Sequence, residues 1–169
     1  PINFNSPYKA RNIQDFWRRW HITLSRFMRN YLYIPLGGSY RSEPRIYFNL
    51  LITFIIGGLW HGAGWTFIFW GFLHGFALSI HRTWKKLNLQ LHPIISWFIT
   101  FNFVNFAWLF FRAKTWQDAI KVMKGMFAFE TFNITQLFIF TKTQILYLIV
   151  AFLIVIFCKN VHEYKFKSN

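Results

Sequence analysis

Two apolar runs, YFNLLITFIIGGLW (Tyr47–Trp60) and WTFIFWGFLHGFALSI (Trp65–Ile80), are separated only by the glycine-rich tetrapeptide HGAG. A third run covers residues 93–111 and a fourth covers 145–158. Lipid offers no water to backbone N–H and C=O groups, so segments of this kind satisfy their hydrogen bonds internally as helices. The spacing therefore predicts an all-α integral membrane bundle, with residues 1–169 as one membrane domain and transmembrane helices at 93–111 and 145–158. A few helices make a thin bundle, so the chain is expected to be the C-terminal portion of a longer membrane protein. Each run of the first pair would be only about 21–24 Å long as a helix, short of a hydrocarbon core of about 30 Å. Two forms of the 47–80 pair stay open: a tight hairpin of short helices, or broken, re-entrant segments. Irregular backbone is tolerated at that depth only inside protein or along a wet cavity. Both forms place His61 near a buried turn.

Charge narrows the partners. Lys and Arg outnumber Asp and Glu by 19 to 5, giving a net charge of +14. The cations sit beside the apolar runs, in 9–45, 82–86, 112–124 and 159–167. Cations so placed anchor helices and meet anionic headgroups, so membrane lipid is the expected partner and nucleic acid is not. Because basic clusters follow nearly every run, the orientation in the membrane stays open. The single Cys158 excludes an intrachain disulfide and a multi-cysteine zinc site. The five acids are scattered, which argues against a carboxylate pair or an acid-rich metal cage. No metal and no bound cofactor are expected.

From Ile13 the residues Ile13, Phe16, Trp17, Trp20, Leu24, Phe27, Met28 and Tyr31 recur at helical steps, predicting one amphipathic, basic interfacial helix over 13–33. Asn12 is its N-cap, with Asp15 in the first turn where the helix dipole favours an anion. Pro35 and Gly37–Gly38 end it. Residues 116–129 form a second amphipathic helix, and Asn133-Ile-Thr135 matches a glycosylation sequon.

Among the six histidines His61 stands out. An ionisable side chain in an apolar segment is costly and marks function by default, and imidazole takes and returns a proton near neutral pH. The competing explanation is packing, because Gly58-Leu-Trp-His-Gly62 is also a GxxxG motif. His74, in a second GxxxG, reads at least as well as an interhelical hydrogen-bonding residue. His21 lies on the apolar edge of the 13–33 helix, where a lone histidine is more often a core residue than a catalyst. His81, His92 and His162 fall at segment ends.

Three stretches carry a resemblance: DFWRRWHITLSRFMRNYLYIPLGG (15–38), GGLWHGAGWTFIFWGFLHG (57–75) and WLFFRAKTWQDAI (108–120). In order and spacing the chain resembles the C-terminal half of membrane-bound O-acyltransferases. It is most similar to the alginate O-acetylase branch, which includes peptidoglycan O-acetyltransferases and is related to the D-alanyl transfer protein of teichoic acid synthesis. The resemblance implies a multi-pass enzyme of the bacterial inner membrane. Such an enzyme moves an acyl group, here acetyl, from a thioester donor such as acetyl-CoA towards a hydroxyl of an exported polysaccharide, or to a periplasmic relay protein. It also implies that the family's essential WHG histidine is His61 and that its second recurrent histidine is His21. Beside that, Trp60 and Trp65 are expected to wall the site against lipid, and Arg18, Arg19 and Arg29 to attract an anionic donor. The competing class is a non-enzymatic channel, transporter fragment or assembly scaffold, which gives no reason for WHG and RWH to occur together.

Overall fold

The structure, a computed structural model, describes residues 2–127 and 141–160, and every helix or strand assigned among them is helical. The chain divides into two compact units, Pro1–Met123 and Lys124–Asn169. In the first, a short 3-10 turn (Pro7–Lys9) precedes α1 (Ile13–Arg19), α2 (Ile22–Met28), a π-helical turn (Arg29–Tyr33), α3 (Glu43–His61), α4 (Trp65–Lys86) and α5 (Pro93–Arg112). Helix α6 (Trp116–Phe127) follows. The second unit holds α7 (Lys142–Phe157).

Asn12 caps α1 as expected, its Oδ1 accepting the Asp15 N–H at 2.7 Å. The single helix predicted over 13–33 is not formed. It breaks at Trp20–His21, where Trp20 is extended (φ −104°) and His21 enters the left-handed region (φ 43°, ψ 55°). The cause lies outside the amphipathic pattern. The lead-in segment runs beside the break and satisfies the backbone groups that a continuous helix would have paired. The Asn3 carbonyl accepts the Ile22 N–H at 2.9 Å, and Asn3 Oδ1 accepts the Thr23 N–H at 3.1 Å and the Thr23 hydroxyl at 2.9 Å. Asn5 N–H donates to the Arg19 carbonyl at 2.9 Å. Pro35 and the positive-φ pair Gly37 (108°) and Gly38 (53°) turn the chain towards α3, as the sequence indicates.

Helices α3 and α4 form an antiparallel hairpin, the first of the two forms left open, but its helices are longer than the short ones expected. With 19 and 22 unbroken residues they are about 28 and 33 Å long at 1.5 Å per residue. Both extend beyond the apolar runs because Glu43 at one mouth pairs with the far end of α4. Arg82 donates Nε–H and Nη2–H to the two Glu43 oxygens at 3.0 Å each, and Lys86 Nζ lies 2.8 Å away. Between the ends the backbones nearly touch. A Cβ on Gly71 would collide with the Phe54 carbonyl, and one on Gly58 with the Phe67 carbonyl. Gly58 of the first GxxxG motif and Gly71 and Gly75 of the second thus form the close crossing of this hairpin, while Gly62 lies at the turn against the Phe67 ring.

Helix α5 is the one described helix both long and apolar enough to cross a membrane, with mean hydropathy 1.7 over its best window. The expected helix at 93–111 is therefore found with one added residue, Arg112. The charged residues that α3 and α4 take in at their shared mouth dilute their apolar character. Trp97 Nε1–H donates to the Tyr8 carbonyl at 2.8 Å, which ties α5 to the lead-in. In the second unit, α7 starts from a capping box between Thr141 and Gln144 and carries the shorter apolar stretch Thr143–Phe157. The sequon at Asn133 lies outside the described residues.

Candidate active site

His61 is the last residue of α3, followed at once by Gly62. Its half-buried imidazole meets three rings edge-on: Trp60 at 5.0 Å, Trp70 at 5.5 Å and Phe111 at 5.0 Å between centroids. Trp70 comes from α4 and Phe111 from the end of α5, so three helices converge on one histidine. His21, forty positions earlier, arrives from the break between α1 and α2 and lies within electrostatic reach of His61. Its Nδ1 is buried without a hydrogen-bond partner. The break explains this placement. In a continuous helix position 21 would follow the face set by Trp17 and Leu24, whereas the left-handed residue redirects the chain at His21.

One turn along α4 from Trp70 sits a fully buried histidine, His74. Its Nδ1 accepts the Trp17 indole N–H at 3.3 Å, and Phe16, Trp17, Phe54, Trp70 and Phe103 surround it within ring-contact distance. That geometry supports the packing role given to the second GxxxG histidine. With Nδ1 accepting, the proton belongs on Nε2, which has no partner, and the adjacent Trp70 Nε1 has none either. Two polar N–H groups are therefore left unpaired in the aromatic layer between His74 and His61.

The other expected site residues separate. Trp60 touches His61 but is 67% exposed, and Trp65 is 77% exposed and stands outside the ring cluster. Trp70 and Phe111 supply the wall that was assigned to Trp65. A signal for Trp70 existed, since it lies one helical turn before His74 and shares its face. Phe111 lies in the stretch WLFFRAKTWQDAI, with nothing there to separate it from its aromatic neighbours. Arg19 turns back to its own helix, where Nε lies 2.8 Å from Asp15 Oδ1. Arg18 and Arg29 instead line a cavity of about 590 Å³ together with His81, Arg82, Lys85 and Lys86, over a floor that includes Trp17, Leu50, Phe54 and Leu78. Neither His21 nor His61 lines this cavity. Its inner end is Trp17 and Phe54, which contact His74, and Trp70 carries the aromatic layer on to His61.

Comparison with known proteins bears on what such a histidine pair serves. Residues 1–117 match the model of the membrane-bound O-acyltransferase family. The chain is 64% identical over 130 residues to the peptidoglycan O-acetyltransferase of Helicobacter pylori, covering 75% of this chain and 25% of that protein. It is 43% identical over 159 residues to the probable alginate O-acetylase of Pseudomonas aeruginosa, covering 92% of this chain and 30% of that protein. With the teichoic acid D-alanyltransferase of Streptococcus thermophilus it shares 31% identity over 136 residues, 66% of this chain and 32% of that protein. The chain thus spans about a quarter to a third of the length of these curated relatives. A chain that carries RWH, WHG and the aromatic rings gathered about His61 thus belongs to the membrane-bound O-acyltransferase family.

Proposed function

We propose that this chain forms part of a multi-pass O-acyltransferase of a bacterial inner membrane. Its reaction moves acetyl from a thioester donor, acetyl-CoA or an equivalent, to hydroxyls of a cell-envelope polysaccharide or to a relay protein that passes it on. The relatives named for peptidoglycan and alginate acetylation support a glycan acceptor. The observation that supports the proposal is that His21 lies within electrostatic reach of His61, forty residues on, while His21 Nδ1 and the Nε1 of Trp70, which packs on His61, are buried without partners.

In the reaction the acceptor hydroxyl attacks the thioester carbonyl. The new C–O bond forms, the C–S bond breaks, and the hydroxyl proton must leave as negative charge builds on oxygen. His61 accepts that proton and returns it to the departing thiolate, a role worth typically 10²–10⁴-fold in rate. Trp60, Trp70 and Phe111 hold the imidazole edge-on and limit water around it. The buried His21 Nδ1 and Trp70 Nε1 provide hydrogen-bonding capacity for a reacting oxygen at that point. Arg18 and Arg29 give the donor's negative groups a cationic place to dock.

The test is His61→Ala in the full-length protein, with acetyl ester content of the envelope polymer as readout. Transfer is expected to fall by at least about 100-fold with membrane insertion unchanged. Undiminished acetylation would remove His61 from the mechanism.

A further inference from the structure

His74 is the one fully buried histidine among the described residues, and the proposed reaction makes no use of it. Four helices surround it with rings: Phe16 and Trp17 from α1, Phe54 from α3, Trp70 from α4 and Phe103 from α5, at centroid distances of 4.8 to 6.3 Å. Taking an imidazole out of water into such a layer costs free energy that an apolar side chain would not, so filling space does not account for it. One nitrogen supplies a further reason. Nδ1 accepts the Trp17 indole N–H at 3.3 Å, and among the described residues no other side-chain hydrogen bond joins α1 to α4. Trp17 stands four residues before His21, in the helix whose end at Trp20 hands the chain to that left-handed residue. The backbone on either side of His74 packs directly on α3, the helix that ends in His61. A Cβ on Gly71 would collide with the Phe54 carbonyl, and one on Gly75 would lie 2.9 Å from Leu51 Cα. Trp70, one turn before His74, meets the His61 ring at 5.5 Å. His74 therefore joins the helix that leads to His21 to the hairpin that bears His61.

We propose that His74 is a positioning residue: by accepting the Trp17 N–H it sets α1 against α4, and so sets where His21 stands relative to His61. The inference rests on the proposed reaction, in which that pair acts. Setting a position needs a directional contact. Ring packing is not directional to that degree, whereas a hydrogen bond weakens steeply away from its preferred angle. The demand is real, because a displacement of about 1 Å at a reacting group costs on the order of 10²-fold in rate. An apolar side chain at position 74 would fill the layer but strand the Trp17 N–H without an acceptor. His74 itself touches neither donor nor acceptor in this account and acts only through Trp17.

The experiment uses the full-length enzyme and the initial rate at which acetyl esters form on the envelope polymer. His74→Phe, which keeps a ring and removes the acceptor, is expected to slow transfer roughly 10- to 100-fold. His74→Asn puts Oδ1 in place of Nδ1 and should stay within about threefold of the parent. Trp17→Phe removes the donor instead, and the double variant should be no slower than the slower single one, because the same bond is lost once. In a His21→Ala background, His74→Phe should lower the residual rate by less than about twofold, since no imidazole remains there to be placed. A second readout needs no transfer. In purified enzyme carrying isotope-labelled tryptophan, the Trp17 indole N–H resonance is assigned by its absence in Trp17→Phe. It should move upfield in His74→Phe and keep its place in His74→Asn. Should His74→Phe fail to accumulate, Trp17→Phe runs the same comparison from the donor side. The proposal is overturned by equal losses with and without His21, by additive losses in the double variant, by an unshifted Trp17 resonance, or by His74→Asn as slow as His74→Phe. Each of these leaves His61 as the base, whereas the proposed reaction fails on a different result, an active His61→Ala enzyme.

Discussion

His21 holds a left-handed backbone conformation at φ 43°, which costs an ordinary residue about 1–2 kcal/mol and is more common for Asn, Asp and His than for most. Two features meet at this position: the backbone turns, and the imidazole lies within electrostatic reach of His61. His21→Gly separates them, because glycine takes the turn without cost. The Gly variant is expected to melt no lower than the parent in detergent while losing most of its transfer activity. Full activity in that variant would leave His21 as a turn residue only. Asn3→Ala tests the other side of the break, since it removes the Oδ1 that accepts both Thr23 groups. Loss of a helix cap of this kind costs about 1 kcal/mol, and a drop in transfer rate larger than the drop in stability is expected if His21 is being aimed. The candidate pair was legible in the sequence through the RWH and WHG patterns. Its supporting shell was legible only in part. Trp70 shares a helix face with His74, whereas Phe111 stands in WLFF beside another phenylalanine, and only the turn of the helix decides which ring meets His61.

At the scale of the elements, the α3–α4 hairpin was visible as two apolar runs around HGAG, but its length was not. The apolar pattern stops at Tyr47 and Ile80, whereas the helices run on to Glu43 and Lys86 because an ion pair between them replaces apolar burial. In the opposite direction, a regular amphipathic pattern over 13–33 gave no sign of the break, because residues 3–5 impose it from outside the periodic stretch. Gly71→Ala should cost about 1–3 kcal/mol, measured as a lowered melting temperature in detergent, because its new methyl meets the Phe54 backbone, which cannot step aside. Glu43 stands at the mouth, outside the apolar runs. The hydrogen bonds from Arg82 and then Lys86 hold its carboxyl at about 2, below the ordinary 4.5. A lowered folded-state value stabilises above pH 4.5 and is lost as pH falls towards 2, so acid should loosen this end of the hairpin. Glu43→Gln should flatten the melting temperature between those two pH values. Its loss near neutrality should be small, since a partly exposed pair contributes little.

For the whole molecule, the family assignment makes this helical chain a membrane one, and α5 is the element that tests it. If α5 crosses the bilayer, its ends at Pro93 and Arg112 face opposite sides. On a Cys158→Ser background, Leu91→Cys and Lys114→Cys should differ in intact cells, with a membrane-impermeant thiol reagent labelling one and not the other. Equal labelling of both would show that α5 lies on one side. The tight backbone contact between α3 and α4 has a mechanical consequence. Where carbonyl meets glycine there is no side chain between α3 and α4 to rearrange, and His61 ends one of these two helices. His21 stands instead at a joint between two seven-residue helices with a π-helical turn beyond, so the two histidines are borne by elements of very different length.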